Sequence, residues 1–250
     1  MIYQSKFKRT IYKPNSSEPY KLSRSKIELW LKCPRCFYLD RRLGVSQPAG
    51  YPFNLNSAVD HLLKKEFDIH RVAGQPHPLM TTYGIKAVPF SHESMEAWRN
   101  NFVGVRHLHQ PTNFLVYGAV DDIWQLADGQ LAVVDYKATS KNGEINIDAD
   151  WQRSYKNQME IYQWLLRQNE FKVADTGYFV YLNGRRDVEA FDGKLEFDVK
   201  VIPYKGSDAW LEDTLGAIKN CLESDNLPKA SPSCEYCNYR HKAAEVENNS

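Results

Sequence analysis

Asp121, Asp135 and Lys137 are the residues whose types and spacing could do chemistry in this chain. They lie within FLVYGAVDDIWQLADGQLAVVDYKAT, residues 114–139, which reads as two apolar-rich strands joined by a turn at Ala127, Asp128 and Gly129. Glycine takes the positive φ that such a loop demands. A three-residue loop pairs Leu126 with Gln130, and counting back along the ladder sets Asp121 opposite Asp135. A two-residue turn at Asp128 and Gly129 sets Asp122 there instead, because a one-residue slip turns every side chain to the other face. Lys137, two residues past Asp135, shares its face. Carboxylates facing each other repel unless a divalent cation lies between them. A neighbouring ammonium can align or activate a water, and together these groups are equipment for metal-dependent phosphodiester hydrolysis. The plainer alternative is a surface hairpin with ordinary turn acids.

The cysteines form a second constellation. Cys33 and Cys36 make one Cys-x-x-Cys pair and Cys234 and Cys237 another, while Cys221 stands apart as a core residue of an expected helix. Two such pairs supply four thiolates, enough for one tetrahedral metal. Disulfides are not expected in a cytosolic chain. A metal bound by both pairs ties the two ends of the sequence together against the entropy of a long loop.

Around these groups the sequence describes a soluble α/β protein. Its 250 residues are 42% hydrophobic, with a net charge of +1 and no apolar run approaching a membrane span. MIYQSKFKRT lacks the apolar stretch of a secretory signal, so a cytoplasmic location is the expectation. Basic residues crowd the opening segment, from Lys6 to Arg42, as suits an enzyme that must hold phosphates. We expect a flexible basic arm over residues 1–20, a single domain over 21–240 and a polar tail over 241–250. A capping box from Ser25 to Glu28 starts the first helix. Leu55, Ala58, Val59, Leu62, Leu63 and Phe67 form the stripe of an amphipathic helix over 55–70. Residues 70–113 are loop-rich, with His70, His77, His92, His107 and His109 read as surface or loop residues and a short helix in SHESMEAWRNNF. A helix over 151–169, strands in TGYFVYLNG and FDGKLEFDVKVIPY, and a helix over 207–224 follow. No Gly-rich phosphate loop occurs, which argues against NTP hydrolysis.

GAVDDIW followed by VVDYKAT resembles the core of the PD-(D/E)XK nuclease superfamily, specifically its RecB-like branch, where a Gly-x-x-Asp strand precedes an Asp-x-Lys strand. The matching positions are Gly118, Asp121, Asp135 and Lys137. In the same order, Gln158 and Tyr162 match the branch's Gln-x-x-x-Tyr, four residues apart on one helical face. The resemblance implies a restriction-endonuclease-like fold: a mixed central β-sheet flanked by helices, with the N- and C-terminal segments joined by the four-cysteine metal site. It implies a nuclease in which Mg²⁺ or Mn²⁺ is held by Asp121, Asp135 and the main-chain carbonyl of Tyr136. A further ligand comes from the helix over 55–70, where Asp60 occupies the histidine position of the family's Gly-x-x-x-His and His61 follows one residue later. Lys137 then positions the attacking water, and Gln158 and Tyr162 steady the lysine or the substrate phosphate. The implied partner is nucleic acid, with DNA and its single-stranded ends favoured and with exonuclease or endonuclease action left open. A helicase, recombination or integration partner is also implied. Relatives in CRISPR adaptation and recombination repair hold a [4Fe-4S] cluster with one N-terminal and three C-terminal cysteines. This chain offers two and two, with His241 downstream of Cys237, a spacing that favours Zn²⁺. Two other readings are a catalytically silent nucleic-acid-binding or assembly subunit of the same fold, and a zinc or iron-sulfur module whose thiolates are the functional centre.

Overall fold

In a computed structural model, which describes residues 11–249, the Leu126 N–H donates to the Gln130 carbonyl at 2.9 Å. This closes the three-residue turn, with Gly129 at φ 83°. Asp128 reinforces it by accepting from the Gln130 N–H at 3.0 Å. The ladder runs from Gln125 opposite Leu131 to Asp122 opposite Val134, so the next step brings Asp121 to the level of Asp135. The two-residue alternative is thereby excluded. The strands themselves differ from expectation, because Phe114–Gly118 and Asp122–Leu126 belong to different sheets. The break between them at Ala119–Asp121 frees Asp121 from the ladder.

In chain order the elements begin with β1 (Tyr20–Ser23), α1 (Arg24–Lys32), α2 (Pro34–Arg41), α3 (Asn54–Ala73), α4 (Pro78–Thr82), β2 (Ala87–Pro89), α5 (Met95–Arg99) and β3 (Val105–His109). Then come β4 (Phe114–Gly118), β5 (Asp122–Leu126), β6 (Leu131–Thr139), α6 (Arg153–Gln168), β7 (Thr176–Gly184), β8 (Phe197–Lys205), α7 (Leu211–Glu223) and α8 (Glu235–Asn248). Two compact units result. One comprises Tyr51–His107 and Tyr117–Ala209; the other comprises, among the described residues, 11–50, Leu108–Val116 and 210–249.

The first of these units is built on a five-stranded sheet in the order β2-β5-β6-β7-β8, antiparallel except for the parallel pair β6–β7. A parallel pair needs a crossover, and α6 supplies it. Alternation along β6 sends Val134 and Tyr136 to one face and Asp135 and Lys137 to the other. On the Val134 face lies a core of Leu63, Phe67, Met80, Trp124, Val180 and Leu182 under α3. Phe67 stacks on His77 at 4.1 Å and on Trp124 at 5.6 Å. Against the Asp135 face packs α6, so closely that a Cβ on Gly177 of β7 would collide with the Met159 thioether of that helix.

Several local expectations are corrected. Only Leu63 and Phe67 of the six-residue stripe on α3 are buried, since Leu55 and Leu62 are each 62% exposed. His77 sits in the loop ahead of α4 as expected but is buried, not at the surface, and bonds to Glu66 at 3.0 Å. Likewise His109 is buried, between Thr112 Oγ1 at 2.7 Å and Glu212 Oε2 at 2.8 Å. Ser25 is not the N-cap: α1 starts two residues earlier, after Ser23, with no side-chain cap.

In the other unit, α1, α2, α7 and α8 accompany β1, which opens a three-stranded sheet in the order β1-β4-β3. Residues 1–10 of the expected basic arm lie outside the described residues. Tyr12 is buried, and its hydroxyl meets Glu223 and the Lys219 ammonium. Part of the opening segment's positive charge is used internally: Lys26 and Arg41 reach the buried Asp40 at 2.7 and 2.9 Å. The expected polar tail is the second half of α8, exposed along its length. Among the described residues, no helix is long and apolar enough to cross a membrane.

Candidate active site and metal centre

Because β5 begins only at Asp122, Asp121 stands just ahead of the strand and its carboxylate turns back across the ladder. Its Oδ2 accepts from the Tyr136 N–H at 3.0 Å, and its Oδ1 meets the Lys64 ammonium at 3.3 Å. Lys64 also donates to Asp60 Oδ2 at 2.8 Å, one helical turn away on α3. Burial, and next the charge of Asp121, push the Asp60 carboxyl above the usual carboxylate range, with Lys64 and Lys137 opposing. Burial would lower the Lys64 pKa, but Asp121 and Asp60 outweigh it and raise the ammonium above its ordinary value. These four groups therefore share one electrostatic neighbourhood.

Asp135, fully buried in the middle of β6, is ion-paired with Lys137. Its Oδ1 accepts from Gln158 Nε2 at 2.7 Å, and the same amide nitrogen lies 3.2 Å from the Tyr162 hydroxyl. The four-residue spacing on α6 thus does bring both side chains to one place. Gln158 holds the carboxylate of Asp135, where an anchor for the lysine was also expected. The Lys137 ammonium lies over the Tyr155 ring, 4.7 Å from its centroid. His61 is exposed on α3, so of the two neighbouring candidates only Asp60 is brought to Asp121. Sequence reasoning missed Lys64, although its i, i+4 spacing from Asp60 was the signal that would have found it.

Below this group lies a buried ionic network that also escaped sequence reasoning. Asp122, adjacent to Asp121 but facing the other way, is completely buried. It pairs with Arg71 and with Arg99 at 3.3 Å, and accepts from the Tyr136 hydroxyl at 2.8 Å. Arg99 further donates to the Asp121 carbonyl at 3.1 Å and forks onto Asp68 at 2.8 and 2.9 Å. Tyr136 consequently grips both aspartates, by its N–H and its hydroxyl, and burial followed by the charge of Asp122 drives its phenol far above the ordinary range. Breaking one arm of such a network leaves a buried charge short of a partner. Arg99→Leu should therefore cost about 3–5 kcal/mol of stability, read as a lowered urea midpoint. An unchanged midpoint would mean that the network adds nothing.

The four cysteines occupy equivalent places in the other unit. Cys33 precedes α2 and Cys234 precedes α8, each accepting at its carbonyl from the N–H four residues on, Phe37 and Asn238, both at 3.0 Å. Cys36 and Cys237 then fall in the first turns of those helices, where the helix dipole favours negative sulfur but burial outweighs it and pushes both thiols up. Sγ separations are 3.9 Å for Cys33–Cys237, 3.6 Å for Cys36–Cys234 and 3.5 Å for Cys36–Cys237, and all four sulfurs lie within 4.8 Å of one another. Burial opposes ionisation of Cys33, yet hydrogen bonds from the Ser231 and Cys36 backbones outweigh it and lower its thiol to about 7. Cys221 stands apart on α7, its thiol pushed up to about 11 by burial. His241 pairs with Glu245 at 3.3 Å and is not in the sulfur set. Among the described residues, the four cysteines are the grouping of His, Cys, Asp or Glu that closes to this degree. Asp60, Asp121 and Asp135 lean instead on Lys64 and Lys137.

The donor sets fit two different metals. Asp60, Asp121, Asp135 and the Tyr136 carbonyl offer hard oxygen, as Mg²⁺ and Mn²⁺ require. The sulfur set offers soft ligands at the spacing of a small tetrahedron.

Residues 55–241, three-quarters of the chain and including all the acidic-site residues above, match the sequence pattern of the PD-(D/E)XK nuclease superfamily. The chain belongs to that superfamily. Membership in the PD-(D/E)XK group points to metal-dependent nuclease activity and hence to nucleic-acid binding. No curated protein matches the chain. Solved structures do match this PD-(D/E)XK chain. One is described as the crystal structure of SSO0001, with 13% identity over 86% of this chain and 82% of that one and a TM-score of 0.42.

Proposed function

We propose that this protein is a Mg²⁺- or Mn²⁺-dependent deoxyribonuclease of the RecB-like branch, acting at single-stranded DNA ends. The observation that carries the reading is the Asp135–Lys137 pair on β6, with Gln158 fixing the carboxylate and Asp121 turned back over the adjoining Tyr136 N–H. Asp60, Asp121 and Asp135 are the residues that would hold the catalytic ion, together with the Tyr136 carbonyl. Such an ion, when bound, supplies Lewis acidity toward the phosphate and lowers the pKa of a coordinated water. Lys137 orients the attacking water and offsets charge growing on the phosphorus oxygens. Gln158 and Tyr162 restrict Asp135 to one rotamer, so that the acidic and basic groups are set in advance of substrate. At the four cysteines the reading is structural Zn²⁺. A Zn–S bond of about 2.3 Å in a tetrahedron sets sulfurs roughly 3.8 Å apart, close to the separations found, whereas a cubane cluster has to spread them much further.

The test is cleavage of end-labelled single- and double-stranded DNA and RNA with each divalent ion, alongside Lys137→Ala. Cleavage of single-stranded DNA that disappears in the variant is the expected result. Cleavage of RNA alone, or activity undiminished by Lys137→Ala, would overturn it. Elemental analysis showing one zinc per chain, without the brown colour of iron-sulfur protein, checks the cysteine assignment.

A quantitative expectation attaches to Lys64. Its ammonium bridges two carboxylates assigned to the catalytic ion, so any divalent cation has to work against it. Unit charges about 4 Å apart at an effective dielectric of about 20 interact by about 4 kcal/mol, and the carboxylates' own repulsion takes back part of this. Lys64→Met should tighten Mn²⁺ binding by about tenfold, measured by calorimetric titration. Weaker binding in the variant would show Lys64 to be a support of the ion site and not its competitor.

A further inference from the structure

The face of α3 that carries Asp60 and Lys64 is not the only one with a purpose. With about 100° between successive residues, Leu63 and Phe67 lie on the buried side with Asp60 and Lys64. Leu55, Leu62 and Ile69 lie on the opposite side, 62%, 62% and 69% exposed. Ala58 and Val72 flank them, exposed as well, with Val72 at 90%. The positions 55, 58, 62, 65, 69 and 72 alternate by three and four, the repeat of a helix that pairs with another helix, and only Lys65 interrupts the apolar series. Tyr51 and Phe53, 94% and 76% exposed, continue the apolar surface just ahead of the helix. A patch of this length on one helix is a contact surface by its size.

We infer that α3 is the interface of a homodimer in which two copies of this chain pack the helix antiparallel about a two-fold axis. The sequence of the stripe is complementary to itself in that direction and in one register. Leu55 meets Val72 of the second copy, Ala58 meets Ile69, and Leu62 meets Lys65, each contact occurring twice. The smallest residue thus faces a large branched one, and the lysine lays its aliphatic stem on leucine while its ammonium reaches water. Tyr51 and Phe53 reach past Gly74, where the second copy's helix ends. Six large apolar side chains per copy, each covering on the order of 100 Å², approach the roughly 800 Å² per partner that a stable association uses. In the parallel direction like meets like, and Lys65 faces Lys65.

Sedimentation equilibrium on the full chain in the tens of micromolar should return twice the 29.0 kDa chain mass. Leu62→Glu and Ile69→Glu should each raise the dimer dissociation constant at least about hundredfold, giving monomers. Because both side chains are mostly solvent-exposed in the single chain, the circular dichroism of the monomeric variants should match the parent's, while Tm falls only by the stabilisation that association gave and no longer varies with concentration, which separates loss of association from loss of folding. Direction is read by oxidative cross-linking relative to the parent chain: Ala58→Cys with Ile69→Cys should yield a covalent dimer, and Leu55→Cys alone should not. A monomeric parent chain would overturn the inference. So would a dimer that survives both glutamates, or a cross-link through Leu55→Cys alone.

Discussion

On the proposed nuclease reading, Asp135→Asn should lower DNA cleavage by about a thousandfold or more and leave the chain folded. The substitution keeps the shape of the side chain and still offers an oxygen to Gln158 Nε2, now 2.7 Å from the carboxylate. What it removes is the negative charge that holds Lys137 and that, on this reading, would attract the catalytic ion. Asp121→Ala and Lys137→Ala should fall comparably, since the three groups act as one unit and their losses do not add. Near-UV circular dichroism establishes folding and the labelled-DNA assay establishes activity. Full activity in a folded Asp135→Asn chain would remove β6 from the mechanism and leave the thiolates or a silent binding role as the better reading.

Disrupting the cysteine centre produces the second large effect, and it falls on stability. Cys33 and Cys237 are 204 positions apart, and closing a loop of that length costs about 5 kcal/mol of chain entropy. On the proposed zinc reading, a metal at the four thiolates would supply that cost, and the apolar packing around them is slight, with Leu29 and Ala230 as partly buried neighbours. Cys36 is the residue to change, because its Sγ approaches both Cys234 and Cys237. At about 2–4 °C per kcal/mol for a chain of this size, Cys36→Ser should lower the Tm by about 10–20 °C. A strong zinc chelator should do the same to the parent chain, and scanning calorimetry reads both. A variant that melts with the parent chain would show the two knuckles to be unlinked thiols.

Much of this is legible in the residues themselves. Ala127, Asp128 and Gly129 marked the turn and left two lengths open; the structure takes the three-residue one, and that sets the register that levels Asp121 with Asp135. TGYFVYLNG coincides with β7 because a buried strand is an apolar run bounded by turn residues. The Cys-x-x-Cys pairs announced a sulfur tetrahedron from spacing alone, as ligand chemistry is local. On α3, in contrast, the apolar periodicity spanned two faces, and hydrophobicity does not say which face meets the sheet. The core claimed Leu63 and Phe67 and left Leu55 and Leu62 in solvent.

Sequence by itself determined the kinds of groups present and the local geometry that covalent spacing enforces: acid opposite acid across a tight turn, lysine on the same face, four thiols in two pairs. Only the tertiary structure decided which charges meet across the chain. It placed Lys64 between Asp60 and Asp121, gave Asp135 rather than Lys137 to Gln158, and buried Asp122 between two arginines. Those choices depend on electrostatics between residues about 20 to 60 positions apart, where burial multiplies the strength of each pair and no local pattern records it.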